Sequence, residues 1–289
     1  MTKKTPTMSR ISILLPTRGR GQVMVDSVKG LVEKAAHADH LEIMFGIDVD
    51  DEETLNVIKE DLAPFLKEHG VEARATQFQP MGYAQLHEYV NTLASASTGE
   101  WLFFWNDDAV MVSENWDEEI RSHDGEFKLF GPTDNHNGHP YAIFPIVPRD
   151  WFVCLDHLSQ NAQNDAWLSH IAYMLDIFER LEFEVIHDRA DITGNNDDET
   201  FANRNYQEGN PEQEGDFNHE RNRKARFASA AKLAWFMDRT GRDTTWWQRV
   251  VRGEQNPFEK MKAPQGVVGA GQLGAVKRSE HNDDETLSL

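Results

Sequence analysis

Four short polar runs carry most of the chemistry available to this chain: Asp48-Val49-Asp50-Asp51, Asn106-Asp107-Asp108, Asn164-Asp165 and His187-Asp188. Three of them close an apolar segment, namely Leu41–Ile47, Trp101–Trp105 and Phe183–Ile186, and the fourth opens one. Carboxylates placed there can hold a hard divalent cation, which can neutralise charge on a departing diphosphate. A neutral imidazole such as His187 is a ligand suited to Mn²⁺. A carboxylate standing apart, such as Asp165, can take a proton from an attacking hydroxyl. Each run also has a plainer reading. An Asp-Asp pair after a strand is commonly a turn, and Asn164 or Asp165 could simply cap a helix.

The elements that must position these residues alternate in the first half of the chain. Arg10–Pro16 is a β-rich apolar run ended by the turn-forming Pro16-Thr17-Arg18-Gly19-Arg20-Gly21. Val23–Ala36 carries Val25, Val28, Leu31, Val32 and Ala35 at helical spacing. Leu41–Ile47 reads as a strand, Glu53–Glu68 as a helix, Glu72–Phe78 as a strand, Tyr83–Ala96 as a helix and Trp101–Trp105 as a buried strand. Repeated βα units of this length predict a mostly parallel sheet flanked by helices. Such sheets bind ligands at the C-terminal ends of their strands. Thr17-Arg18, Asp48/Asp50/Asp51 and Asn106–Asp108 would all reach that rim, a convergence that a solvated face does not require.

The second half is less regular. Lys128–Gly131 and Tyr141–Val147 read as strands, Asn164–Leu181 as a helix with Trp167, Ile171, Met174, Leu175 and Phe178 on one face, and Phe183–Ile186 as a strand. The organisation expected is a nucleotide-binding α/β unit over 1–193, a polar loop or linker over 194–220, a basic, aromatic, mainly helical segment over 221–278 and a frayed tail over 279–289. His136 and His139 lack a third ligand at a telling distance and read as an acceptor-side loop. Asn196-Asp197-Asp198-Glu199 follows no apolar strand and reads as polar loop. There is no Gly-x4-Gly-Lys phosphate loop and no Gly-x-Gly-x-x-Gly.

Taken in order, five stretches resemble the family-2-like glycosyltransferases of the GT-A fold: Ile11–Arg18, Phe45–Asp51, Trp101–Asp108, Asn164–Leu168 and Val185–Asp188. Together they span roughly residues 10 to 189, about two thirds of the chain. The resemblance implies a GT-A-like (Rossmann-like) α/β fold with a C-terminal helical extension. It also implies a site for a nucleotide-diphosphate sugar, a UDP-sugar first, with bound Mn²⁺ or Mg²⁺. Pro16, Thr17 and Arg18 would lie against the nucleotide and Asp48 or Asp50 would read the base or ribose. Asn106-Asp107-Asp108 stands at the family's Asp-x-Asp metal motif, with Asp108 the ligand, Asp107 supporting it and His187 a further ligand. Asp165 matches the general base of inverting members. Two departures stand out. Asn106 replaces the first acidic residue of the motif, and Gly82–Asn91 keeps the glycine-to-asparagine pattern without the Arg that relatives often place nearby.

Composition bounds the rest. At 289 residues with 39% hydrophobic residues and eight Trp, the chain can bury a sizeable core. A single cysteine, Cys154, excludes an internal disulfide. No apolar run approaches the ~20 residues that span a bilayer, so a cytoplasmic enzyme is expected. The formal charge of −20 is lopsided: 221–289 holds thirteen Lys and Arg against eight Asp and Glu, whereas 1–220 holds 16 against 41. A basic, aromatic end suits phosphate neutralisation and base stacking, or else an amphipathic helix covering the sheet. The function expected is therefore hexosyl or pentosyl transfer to a saccharide or, in a phage-type enzyme, to a hydroxymethylated pyrimidine in DNA. The competing readings are a non-catalytic nucleic-acid-binding or assembly protein and a metal-dependent phosphohydrolase.

Overall fold

A computed structural model describes residues 8–135, 139–188, 212 and 214–261. His136, Asn196–Glu199 and the tail 279–289 lie outside them. The strands are β1 (Ile11–Thr17), β2 (Leu41–Asp48), β3 (Glu72–Phe78), β4 (Trp101–Phe104), β5 (Ala109–Met111), β6 (Leu129–Asp134), β7 (Ile146–Pro148) and β8 (Phe178–His187). They form one eight-stranded sheet in the order β3-β2-β1-β4-β7-β6-β8-β5. β1 pairs in parallel with both β2 and β4, and β2 with β3, so the expected parallel half is present. β7 then runs antiparallel to β4 and β6, and β5 antiparallel to β8, so the second half is mixed.

Both faces of the sheet are covered. Alternation along β1 sends Ile11, Ile13 and Leu15 into one core, and Leu14 into the other. The first core lies under α1 (Gly21–Glu33), the helical run α2 (Glu52–Val57) and α3 (Ala63–Glu68), and α5 (Trp116–Ser122). The second lies under α4 (Leu86–Ala96), α6 (Asp150–Leu155), α7 (Asn164–Leu175) and α8 (Glu220–Arg239). A strand buried on both faces reads as a continuous apolar run, which is why β1, β2 and β4 were legible.

A π turn, Ile58–Leu62, separates α2 from α3, and Pro64 sits in the first turn after it. A proline cannot donate the backbone bond that an uninterrupted helix needs there. The helix expected over 164–181 stops at Leu175, because Asp176 takes a left-handed conformation (φ 58°) and the chain turns into β8. Phe178 therefore pairs with Leu129 in the sheet instead of extending the helical face. The strand expected over 141–147 shrinks to Ile146–Pro148.

One buried carboxylate ties the parallel half together. Glu42, 1% exposed, accepts from Ser12 Oγ (2.6 Å), Thr98 Oγ1 (3.0 Å) and Gly99 N (2.9 Å). A Cβ on Gly99 would stand 2.4 Å from Ser12 Oγ, so the turn into β4 requires glycine. Burial alone would raise the Glu42 carboxyl, but its hydrogen bonds from Ser12, Thr98 and Gly99 hold it below the usual range. A depressed carboxyl contributes stability above its unfolded value of about 4.3 and loses it as pH falls through the folded value. Glu42→Gln leaves buried donors facing an amide and is expected to cost about 3 kcal/mol. Urea melts at pH 7 and pH 3.5 check this: the deficit of the variant should shrink at the lower pH.

Candidate active site

The rim at the C-terminal ends of β1, β2 and β4 is built by three turns. Gly19, at φ 67°, reverses the chain between Arg18 and Arg20, and its N–H donates to Asp51 Oδ2 at 2.7 Å. The two arginines then serve different strands. Arg18 Nη1 donates to Asp48 Oδ2 and Asp50 Oδ1, both at 2.6 Å, and Nη2 to Asp50 Oδ2 at 3.0 Å. Arg20 Nη1 bridges Asp107 Oδ1 at 2.7 Å and Asp108 Oδ2 at 3.1 Å. Asp48 is further held by the Tyr89 hydroxyl at 2.5 Å, and burial pushes that phenol up to about 12.

Asn106-Asp107-Asp108 forms the turn from β4 to β5. Trp105 Nε1 donates to Ser27 Oγ (2.9 Å), which donates to Ala109 O (2.5 Å), so α1 clamps the turn from beneath. Thr17 Oγ1 donates to Asp107 Oδ2 at 2.8 Å, tying the end of β1 to the same carboxylate. The register of β5 on β8 pairs Ala109 with His187. That register places His187 Nε2 3.1 Å from Asp108 Oδ1 and 3.1 Å from Asn106 Nδ2. Asn135 fixes the strand end by accepting from His187 N (2.8 Å) and donating to His187 O (3.1 Å).

The charges of this cluster are unequal. Burial pushes the Asp107 carboxyl up, opposed by Arg20 and reinforced by Asp108. Burial acts on Asp108 too, but His187 and Arg20 outweigh it and hold that carboxyl below its ordinary value. Asp165 sits on α7 in its first turn, not at the cap, which is Gln163. Its carboxylate accepts from the Ala166 N–H, while burial pushes it above the usual range. A cavity of about 100 Å³ brings Asp165 together with Asn106, His187, Pro16 and Asn164. Pro16, Asn106, Asp165 and His187 line this cavity, and Thr17, Arg18, Asp48, Asp50, Asp107 and Asp108 lie along the rim.

A divalent cation fits part of this arrangement. Asp108 Oδ1 is buried and, beyond the His187 contact, has no partner among the described residues. Two ligands in cis positions on an octahedral ion at about 2.1 Å are about 3 Å apart, the spacing found here. Three of the four carboxylate oxygens of Asp107 and Asp108 are already taken by Arg20 and Thr17. Among the described residues no three His, Cys, Asp or Glu side chains form a metal cage. For such an ion Asp108 and His187 would be two ligands, the remainder coming from water or a bound phosphate.

Arg20 was missed in the sequence, where Gly19-Arg20-Gly21 reads only as turn. As the resident counter-cation of a buried Asp pair, it should matter for stability. Arg20→Gln is expected to lower stability by about 3 kcal/mol, because it strands two neighbouring buried carboxylates. Millimolar Mn²⁺ should restore much of that loss in the variant and shift the wild type little. Thermal melts with EDTA or Mn²⁺ read both.

Part of the basic, aromatic segment packs on the second core, while Trp235 and Phe227 stay exposed. Arg226, 3% exposed, stacks 3.8 Å from the Phe217 ring centroid and donates to Phe217 O. Trp246 Nε1 donates to Tyr173 O at 3.2 Å, Trp247 packs on Phe227, and Phe236 packs on Phe127. Lys260 pairs with Asp176 at 2.5 Å. The amphipathic covering helix is the reading the structure supports. No helix among the described residues is long and apolar enough to cross a membrane.

No family model and no curated relative matches the sequence. Solved structures match it in fold. The mannosyltransferase PcManGT from Pyrobaculum calidifontis, in complex with GDP-Man and Mn²⁺, aligns over 86% of this chain and 80% of its own, with TM-score 0.52 and 11% identity. S. aureus TarS 1-349 in complex with UDP-GlcNAc aligns over 78% of this chain and 66% of its own, with TM-score 0.53 and 11% identity. In its complex with UDP, TarS 1-349 aligns with TM-score 0.50 and 10% identity, and this chain spans 60% of that length. The architecture is the GT-A-like α/β fold of these glycosyltransferases, with a helical C-terminal region.

Proposed function

We propose that this protein is a metal-dependent glycosyltransferase that uses a nucleotide-diphosphate sugar, with inversion at the anomeric carbon. The observation that carries the reading is the meeting of Asn106, His187 and Asp165 around one cavity, with Asp108 beside His187 at the end of β4. Pro16, Thr17 and Arg18 line the nucleotide side, and Asp48 and Asp50 meet the base or ribose. Asn106 and Asp107 frame the sugar diphosphate. Asp108 and His187 hold Mn²⁺ or Mg²⁺, which supplies charge neutralisation for the departing diphosphate. Asp165, raised by burial and aimed at the same cavity, accepts the proton of the acceptor hydroxyl. The neighbours complexed with UDP, UDP-GlcNAc and GDP-Man support such a donor. Within the chain, 1–193 is the catalytic unit, covered by the described helices of 220–261; the location is cytoplasmic.

The test is release of UDP or GDP from a panel of their sugars, with mono- and oligosaccharides or hydroxymethylated DNA as acceptors, with and without Mn²⁺. Mn²⁺-dependent release that rises with one acceptor class is the expected result. Cleavage of simple phosphate esters with no glycoside product would instead identify a phosphohydrolase.

A further inference from the structure

Next to the small cavity lies a much larger cleft of about 970 Å³, at the upper end of the size of ligand sites. Tyr83 and Ala162 border both, so the cleft adjoins the Asp165 cavity. One wall is the segment Met81–Glu88 that leads into α4, and the opposite wall is Glu214–Asn222, at the start of α8. Gln160–Gln163, just before Asp165, forms the floor.

The chemistry of this lining is specific. Carboxamides line it, Gln85 and Asn218 exposed and Gln160 and Gln163 beside them, while those of Asn161 and Asn222 are committed to the backbone. Tyr83, Tyr141 and Phe217 contribute aromatic surface. Among the described residues its carboxylates are Glu88, Glu214 and Asp216, against one guanidinium, Arg221, already paired with Glu214 at 3.2 Å. Carboxamides and carboxylates each offer paired hydrogen-bonding atoms that match vicinal hydroxyls. Aromatic rings cover the apolar C–H faces of a sugar ring. A polyanion needs the reverse, a surplus of Lys and Arg to neutralise phosphates. Arg226, the buried cation nearby, is held beneath Phe217, whose ring and carbonyl it contacts.

We propose that this cleft is the acceptor site and that it selects a neutral polyhydroxyl chain, an uncharged oligosaccharide, over nucleic acid. The assignment rests on the reading of the Asp165 cavity as the reaction centre. It makes the Glu214–Asn222 wall, contributed from outside the parallel sheet, the determinant of acceptor choice. The wall is rigidly held: Asn222 Nδ2 donates to Glu214 O (3.0 Å) and Asp216 O (2.7 Å), and Asn161 Nδ2 donates to Gly215 O (3.0 Å). A preformed wall of this kind favours a ligand of fixed ring geometry.

The test uses the full chain, fluorescently labelled, on an array carrying neutral, carboxylated and sulfated oligosaccharides together with a 12-base-pair DNA duplex. Binding confined to neutral members is expected. The double variant Gln85→Ala/Asn218→Ala removes one exposed amide from each wall and should weaken that binding at least about 10-fold, one hydrogen bond or more. UDP and GDP binding by the same variant, read by thermal shift, should match wild type. Binding led by sulfated sugars or DNA, no binding to any member, or neutral binding untouched by the double variant would overturn the assignment. Loss of the donor reading is distinguishable: it would show as absent nucleotide shifts in a wild-type protein that still binds neutral glycans through Gln85 and Asn218.

Discussion

Asp165→Asn is expected to lower kcat by about 10²- to 10⁴-fold, the usual contribution of a positioned general base. Donor binding should be unchanged. The two effects separate because Asp165 lies on α7, while the rim proposed to hold the nucleotide is built by β1, β2 and the β4–β5 turn. Asparagine keeps the size of the side chain and the acceptor for the Ala166 N–H, so the helix start survives. Only the capacity to take a proton is lost. A carboxyl raised by burial also sets the direction of the pH profile. Turnover should fall on the acid side at a pH above that of an ordinary aspartate, since the base must be ionised. Steady-state kinetics beside nucleotide titrations check both parts; an equal loss of kcat and of donor affinity would assign Asp165 to the donor site.

Asp108→Asn should act on the other half of the reaction. It neutralises Asp108 and, with the amide oxygen kept by the Arg20 donor, turns an NH2 toward His187 where the carboxylate oxygen not taken by Arg20 or Thr17 had been. Metal-dependent donor affinity should fall at least about 100-fold, since a ligand to the ion contributes several kcal/mol. Asp107→Asn should be milder toward metal, because both Asp107 oxygens are already committed to Arg20 and Thr17. Titration of Mn²⁺ in the presence of UDP distinguishes the two. Equal loss in both variants would mean that the pair works as a unit and not through Asp108 Oδ1.

The parallel half of the fold was legible because β1, β2 and β4 are buried on both faces and end in polar turns, while the mostly exposed edge strand β3 is marked by the turn that follows it. β1, β2 and β3 fall within a residue of expectation. What escaped the sequence is short or ambiguous. β5 has only three residues, Ala109–Met111, with Val110 exposed, too few for any period to register. Yet its pairing with β8 is what brings His187 to Asp108. The stretch Phe178–Leu181 fits either a helical or a strand period, and the left-handed Asp176 decides it. The site was legible in its residue types but not in its pairings. Arg18 and Arg20 are two residues apart in one turn, and only the positive φ of Gly19 sends them to different carboxylates. Asn91, retained in the glycine-to-asparagine pattern, braces the Leu158–Ser159 backbone at 2.7 and 2.8 Å, a structural task that sequence spacing does not reveal.

The central claim is that the rim carrying Asp108 and His187 binds a nucleotide diphosphate together with a divalent cation. Calorimetric titration of UDP and of GDP into the wild-type protein, with Mn²⁺ and then with EDTA, tests it most directly. Binding of one nucleotide in Mn²⁺ is expected, weakened at least about 100-fold by EDTA and to the same degree by Asp108→Asn. Heat of binding that is absent for both nucleotides in Mn²⁺, or unchanged by EDTA, would contradict it.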